Sequence, residues 1–167
     1  MSQTEPDAVD HILAQWARER PDLDVTPMGL IGRLGRLRAH LTRAHETAFQ
    51  RHGLNGASFD LLATLRRSGP PFRLSPSDLL DTMMITSGTM TNRIDQLEKQ
   101  GLVERLPHPD DRRALLVALT DKGRDVIDAA VTDHVENQHR LVETLTPPER
   151  AALDALLRRY LTAFEAP

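Results

Sequence analysis

The sequence predicts a mainly α fold: a winged helix-turn-helix with a small β-hairpin wing, set on a body of N- and C-terminal helices. Three observations in residues 74–123 predict it. First, Ser75 as N-cap, Pro76 at the first helical position and Asp78 three residues after the cap open a short apolar helix through Leu79, Leu80 and Met83. Second, after the small-residue turn Ile85-Thr86-Ser87-Gly88, another helix begins and runs to Gly101, a C-terminal stop. Third, two extended segments follow, Leu102 to Leu106 and Ala114 to Leu119. They flank Pro107-His108-Pro109-Asp110-Asp111-Arg112-Arg113, which is turn chemistry carrying two adjacent arginines. Helix, turn, helix, hairpin is the order of a module that reads DNA.

Periodicity orients the second helix. Met90, Ile94 and Leu97 recur at helical spacing and face the body. The opposite face carries Gly88, Asn92 and Gln96, flanked by Thr89, Asp95 and Lys99, a short polar surface able to hydrogen-bond base edges. Ser87, Thr89, Asn92 and Arg93 are the candidate DNA contacts of this helix. Arg112 and Arg113 are the candidates on the wing, reaching the backbone or the minor groove. Arg93 lies at the border of the buried stripe, so a contact with the body or with a phosphate suits it as well.

The other elements follow in order. Pro6 or Asp7 starts a helix with Val9, Ile12, Leu13 and Trp16 on one face, ending near Arg20-Pro21. Thr26-Pro27 opens a long helix with Leu30, Leu34, Leu37, Leu41, Ala44 and Ala48 in one stripe, ending at Gly53. After the Asn55-Gly56 turn, residues 57–68 form a shorter helix with Phe59, Leu62 and Leu65, broken by Gly69-Pro70-Pro71. Beyond the wing a helix runs from Asp121 to Leu145. Thr146-Pro147-Pro148-Glu149 is a capping box that starts the last one, whose stripe is Leu153, Leu156, Leu157, Tyr160, Leu161 and Phe164. So wide a stripe needs a partner surface, either its own domain or a second subunit.

Composition bounds the function. At 167 residues with 40% hydrophobic and only 4% aromatic content, the chain suits one domain with an aliphatic core. It contains no apolar run of about 18 residues, so no membrane span is expected, and the acidic N-terminus is not signal-like. The expected compartment is the cytoplasm, at the nucleoid. Absence of cysteine excludes disulfides, thiolate metal sites and thiol-based oxidant sensing. The net charge of -3 is unevenly spread: residues 27–73 carry eight arginines against Glu46 and Asp60, while residues 1–26 and 125–167 are each acidic. A basic middle with acidic ends fits a body held away from DNA.

Asp111-x-Arg113, five residues, Leu119-Thr120, two residues, Gly123 resembles the wing signature of the MarR family of transcriptional regulators. SGTMTNRIDQLEKQGLVER resembles that family's recognition helix, and the resemblance spans about residues 30 to 165. It implies a single MarR-type domain over 1–167: a linking helix at 27–56, the winged helix-turn-helix at 57–119, and dimerisation helices at 6–20 and 121–165. It further implies a ligand-responsive homodimer on a pseudo-palindromic double-stranded operator, acting as a repressor.

Trp16, Asp60, Arg67 and Arg93 together resemble the urate-responsive branch of that family, in which a tryptophan, an aspartate and arginines line an effector pocket. The chemistry suits a planar anion such as urate, because arginine forks grip oxyanions and an indole stacks on a flat ring. Core packing for Trp16, and a surface ion-pair role for Asp60 and Arg67, are the alternatives. No cofactor is expected beyond such an effector. His40 and His45 are five apart, as are His134 and His139, a spacing that turns the side chains roughly 140° from each other, so no metal site is expected. No nucleophile–base spacing or glycine-rich phosphate loop suggests an enzyme. The alternative from another class is a winged-helix protein–protein module, which the acidic net charge would suit.

Overall fold

The computed structural model describes residues 5–83, 87–109 and 114–165, without the side chains of Ser87 and Gly88. The chain divides into two compact units, Met1–Ala44 and His45–Pro167.

In the first unit, α1 (Ala8–Glu19) begins at a capping box: the Asp7 carboxylate accepts from the Val9 and Asp10 amides, and Asp10 accepts from the Asp7 amide. Arg33, on α2 (Thr26–Gln50), donates to Asp7 at 2.8 Å and to Asp10 at 2.6 Å. That guanidinium, helped by the backbone amides, holds the Asp7 carboxyl down at about 2. Val9 is the one buried residue of α1 and packs toward Gly32. Ile12 and Trp16 stay exposed. The stripe expected along α2 is buried only at Ala48, joined by Phe49, whereas Leu30 and Leu37 are open to solvent. A periodic apolar stripe records what a face can cover, and among the described residues nothing buries Leu30 or Leu37.

The second unit holds the main core. α3 (Gly56–Arg67) is capped by the Asn55 side chain, which accepts from the Ser58 amide, and it buries Leu61, Leu62 and Leu65 completely. The Gly69–Phe72 turn leads to β1 (Arg73–Leu74). Ser75 and Asp78 form the expected capping box of α4 (Pro76–Met83), with the Asp78 amide donating to Ser75 Oγ. α5 (Ser87–Lys99) ends at Gly101, whose φ of 69° is the left-handed stop expected there. Met83 ends the described part of the turn; Ile85 and Thr86 fall outside the described residues.

The wing is β2 (Val103–Pro107) antiparallel to β3 (Leu115–Leu119), with Val103 opposite Leu119 and Pro107 opposite Leu115. The expected hairpin is one strand short of the sheet, which is three-stranded in the order β1-β3-β2, with Arg73 opposite Ala118. A two-residue strand is too short to produce alternation in the sequence.

α6 (Asp121–Leu141) ends four residues before the expected Leu145, closing through the Val142 amide onto the Gln138 carbonyl. The Glu149 carboxylate accepts from the Thr146 amide and hydroxyl at the start of α7 (Pro147–Glu165), and none of the described residues of α7 is buried. No helix among the described residues is long and apolar enough to cross a membrane.

The junction between wing and α6 explains the Leu119-Thr120-x-x-Gly123 pattern. Thr120 caps α6 by accepting from the Gly123 amide at 2.9 Å, and its hydroxyl donates to the Gly101 carbonyl at 2.7 Å. Its own amide donates to the Leu102 carbonyl. A Cβ at position 123 would lie 1.9 Å from that same carbonyl oxygen, so only glycine fits.

Candidate nucleic-acid interface

α5 is oriented as its periodicity requires. Met90, Ile94 and Leu97 are buried in the core, and Thr89, Asn92, Gln96 and Lys99 are exposed on the far side. Asp95 departs from the expected arrangement. Read as a flank of the polar face, it turns toward the wing and accepts from Arg105 Nη2 at 2.5 Å, while Arg105 Nη1 donates to Glu98. Arg105 was not among the residues singled out from the sequence. Its partners are ten and seven positions away across a turn, beyond the reach of helical spacing rules.

A shallow cleft of about 390 Å³ opens on the exposed side of α5, lined by Thr89, Asn92, Arg93 and Gln96 together with Ala57 at the start of α3. Amide, hydroxyl and guanidinium groups there offer donors and acceptors matched to the major-groove edges of bases. Arg93 is half-buried at its border, as its angular position predicts. Ser87 begins α5, but its side chain lies outside the described residues, as do Arg112 and Arg113 of the wing. The described part of the wing closes with the His108 amide donating to the Ala114 carbonyl.

Asp60 and Arg67 are on α3, two turns apart. Crowding around the Asp60 carboxyl pushes its pKa up although the residue keeps an exposed edge, and the positive charges of Arg93 and Arg67 oppose that rise. Asp60 is therefore within electrostatic reach of both Arg67 and Arg93, and all three lie in one unit. An anion approaching them would meet two guanidinium groups. Trp16 belongs to the other unit, on α1, with 42% of its surface exposed.

Histidines that the spacing argument set aside gather near Asp60. The His134 ring meets His45 edge-on at 4.9 Å and lies 5.0 Å from Phe59. Its Nε2 faces the Gln138 amide at 2.8 Å, and its Nδ1 is buried with no hydrogen-bond partner among the described residues. Burial first, then the neighbouring His45, lowers the pKa of His134, and Asp60 partly offsets this. Among the described residues no group of three or more His, Asp or Glu side chains is arranged to hold a metal ion.

A family model described as MarR family matches residues 52–114. The chain is 42% identical over 151 residues to the HTH-type transcriptional regulator PecS of Dickeya dadantii, covering 90% of this chain and 91% of that protein. Among solved structures, a mutant MarR from E. coli complexed with operator DNA superposes with a TM-score of 0.70 at 26% identity, over 82% of this chain and 95% of that one. Bordetella bronchiseptica BpsR, solved in a study of how 6-hydroxynicotinic acid regulates its DNA binding, matches with a TM-score of 0.66 at 28% identity, over 76% of this chain and 89% of that one.

Proposed function

Because this chain belongs to the MarR family of DNA-binding transcriptional regulators, and is not an enzyme, we propose that it is a homodimeric repressor released from a pseudo-palindromic operator by a small planar anion such as urate. The observation that carries this reading is the position of Arg93. It borders the exposed Thr89–Asn92–Gln96 face of α5, and its charge also acts on Asp60 of α3. One side chain thus belongs both to the surface that would enter the major groove and to the cluster that would take the anion. An effector drawing Arg93 toward Asp60 and Arg67 favours the arrangement it contacts best, and DNA is released only if that arrangement is not the DNA-bound one. A tenfold loss of operator affinity needs about 1.4 kcal/mol of such difference, within reach of one charge-assisted arginine–anion pair.

Trp16, exposed on α1, carries an indole whose face can stack on a flat ring. BpsR, whose DNA binding is regulated by 6-hydroxynicotinic acid, is a relative that answers to a compact aromatic acid. Arg112 and Arg113 would add contacts to the backbone or minor groove at the wing. Dimer formation is supported by α7, where Leu153, Leu156, Leu157, Tyr160, Leu161 and Phe164 all remain exposed in the single chain. A two-fold axis would place the two α5 helices over half-sites roughly 10 bp apart.

The test is a titration of purified protein against the intergenic DNA upstream of its own coding sequence, with and without urate, followed by footprinting of wild type and Asn92→Ala. Binding that urate weakens, over a site whose base preference relaxes in Asn92→Ala, is the expected result. Unchanged base preference in Asn92→Ala refutes the orientation of α5, and urate-insensitive binding refutes urate as the effector.

A further inference from the structure

We infer that Arg105 is a positioning residue for operator recognition, fixing the recognition helix against the wing by holding Asp95 and Glu98 of α5 from strand β2. Asp95 and Glu98 are three residues apart, so they project from one flank of the helix. A single guanidinium fork takes both: Nη2 donates to Asp95 Oδ1 at 2.5 Å and Nη1 donates to Glu98 Oε2. The Arg105 side chain is only 27% exposed. A planar fork with two carboxylates fixes direction as well as distance, which a lysine ammonium would not.

Packing between helix and sheet shares this task with the clamp, since Leu97 of α5 and Val103 of β2 are buried in one core. Beside Arg105 lies a cavity of about 240 Å³, lined by Pro76, Leu80, Met90, Thr91, Ile94 and Val117 among others. Where side chains interdigitate fully, the separation of two elements is set by contact; beside a void it is not. Where the cavity interrupts the packing, the polar bridge to β2 adds a constraint that contact does not supply.

Base-edge hydrogen bonds tolerate only small displacements, whereas phosphate contacts on flexible arginines tolerate larger ones. A loosened clamp therefore costs operator binding more than it costs binding to arbitrary DNA. The inference rests on the reading of α5 as the recognition helix.

The experiment measures affinity for the operator and for a non-operator duplex across a range of salt. It compares wild type, Arg105→Met, the triple variant Asp95→Asn/Glu98→Gln/Arg105→Met, and Asn92→Ala. Arg105→Met is expected to lower the ratio of operator to non-operator affinity about tenfold. It also leaves two uncompensated carboxylates near DNA, which weakens all sequences and alters the salt slope. The triple variant removes those charges, so the clamp predicts that its ratio stays low. Recovery of the wild-type ratio in the triple variant overturns the inference, because charge alone would then explain the loss.

Should Arg105→Met fail to fold, Asp95→Ala/Glu98→Ala opens the clamp from the helix side with Arg105 intact. The same low ratio is expected there, and a wild-type ratio overturns the inference. If Asn92→Ala keeps its base preference, the recognition-helix reading falls and the role of Arg105 in recognition falls with it. If Asn92→Ala loses preference while Arg105→Met retains the wild-type ratio, the clamp alone is refuted.

Discussion

Gly123→Ala tests the junction on which the wing is mounted. The added methyl would lie 1.9 Å from the Leu102 carbonyl oxygen and 2.8 Å from its carbon, both backbone atoms that cannot rotate away. Restoring ordinary contact parts α6 from the base of β2 by more than about 1 Å, the overpacking regime that costs roughly 1–3 kcal/mol. The movement also pulls on the Thr120 amide bond to Leu102 and on the Thr120 cap of α6, worth about 1 kcal/mol more. A total near 3 kcal/mol lowers the melting temperature of a chain this size by roughly 6–12 °C. The assay is thermal unfolding by circular dichroism at fixed protein concentration. Gly35→Ala is the control, since a Cβ there meets no atom within 4 Å. Within α2 that change gains up to about 1 kcal/mol of helix propensity. A Gly123→Ala melting point within about 2 °C of wild type would refute the steric reasoning.

Other outcomes are expected from the same structure. Arg67→Ala and Trp16→Phe should keep operator binding and lose the response to urate or a similar anion; release at wild-type ligand concentrations in both would show that these residues are not the sensor. Deletion of residues 147–167 should abolish dimerisation, and a soluble monodisperse dimer of the truncated chain by light scattering would contradict this. His134 is held neutral by burial, so its pKa in the folded state lies below the ordinary 6.5 while the unfolded chain takes up a proton near that value. The stability it confers is complete above 6.5 and is lost as pH falls through the window beneath it. His45, Asp60 and Gln138 face it and modulate that loss. Melting points measured from about pH 7 down to 5 should fall less steeply in His134→Phe than in wild type, and parallel curves would remove His134 as the cause.

What was legible in the sequence was local. The capping box at Ser75–Asp78, the Glu149 bond to the Thr146 amide, the stop at Gly101 and the Met90–Ile94–Leu97 stripe each depend on residues within one or two turns, and each is found in the structure. The missed features depend on distant pairs. Strand β1 exists only because Arg73 and Leu74 meet β3, and Arg105 matters only because β2 returns past α5. The His45–His134 contact joins α2 to α6, which no spacing rule connects. Apolar periodicity marked Leu30, Leu37 and the α7 stripe as faces to be covered, and it could not tell a face covered within the chain from one left open. Of the candidate site, Arg67 and Arg93 both act electrostatically on Asp60, and Asp60 and Arg67 lie two turns apart on one helix.

Asp7 gives α1 an attachment of an unusual kind. The same carboxylate starts the helix and receives Arg33 from α2, and the helix buries a single residue, Val9. Within a single chain so little apolar surface is at stake that local opening of α1 should cost far less than global unfolding, so in the monomer its amides should exchange with solvent deuterium well before those of α3. Trp16 rides on this lightly held helix. A ligand that grips the indole would therefore spend part of its binding energy quieting α1, and its arrival would be recorded as slowed deuterium uptake there even if no backbone atom changed its mean position.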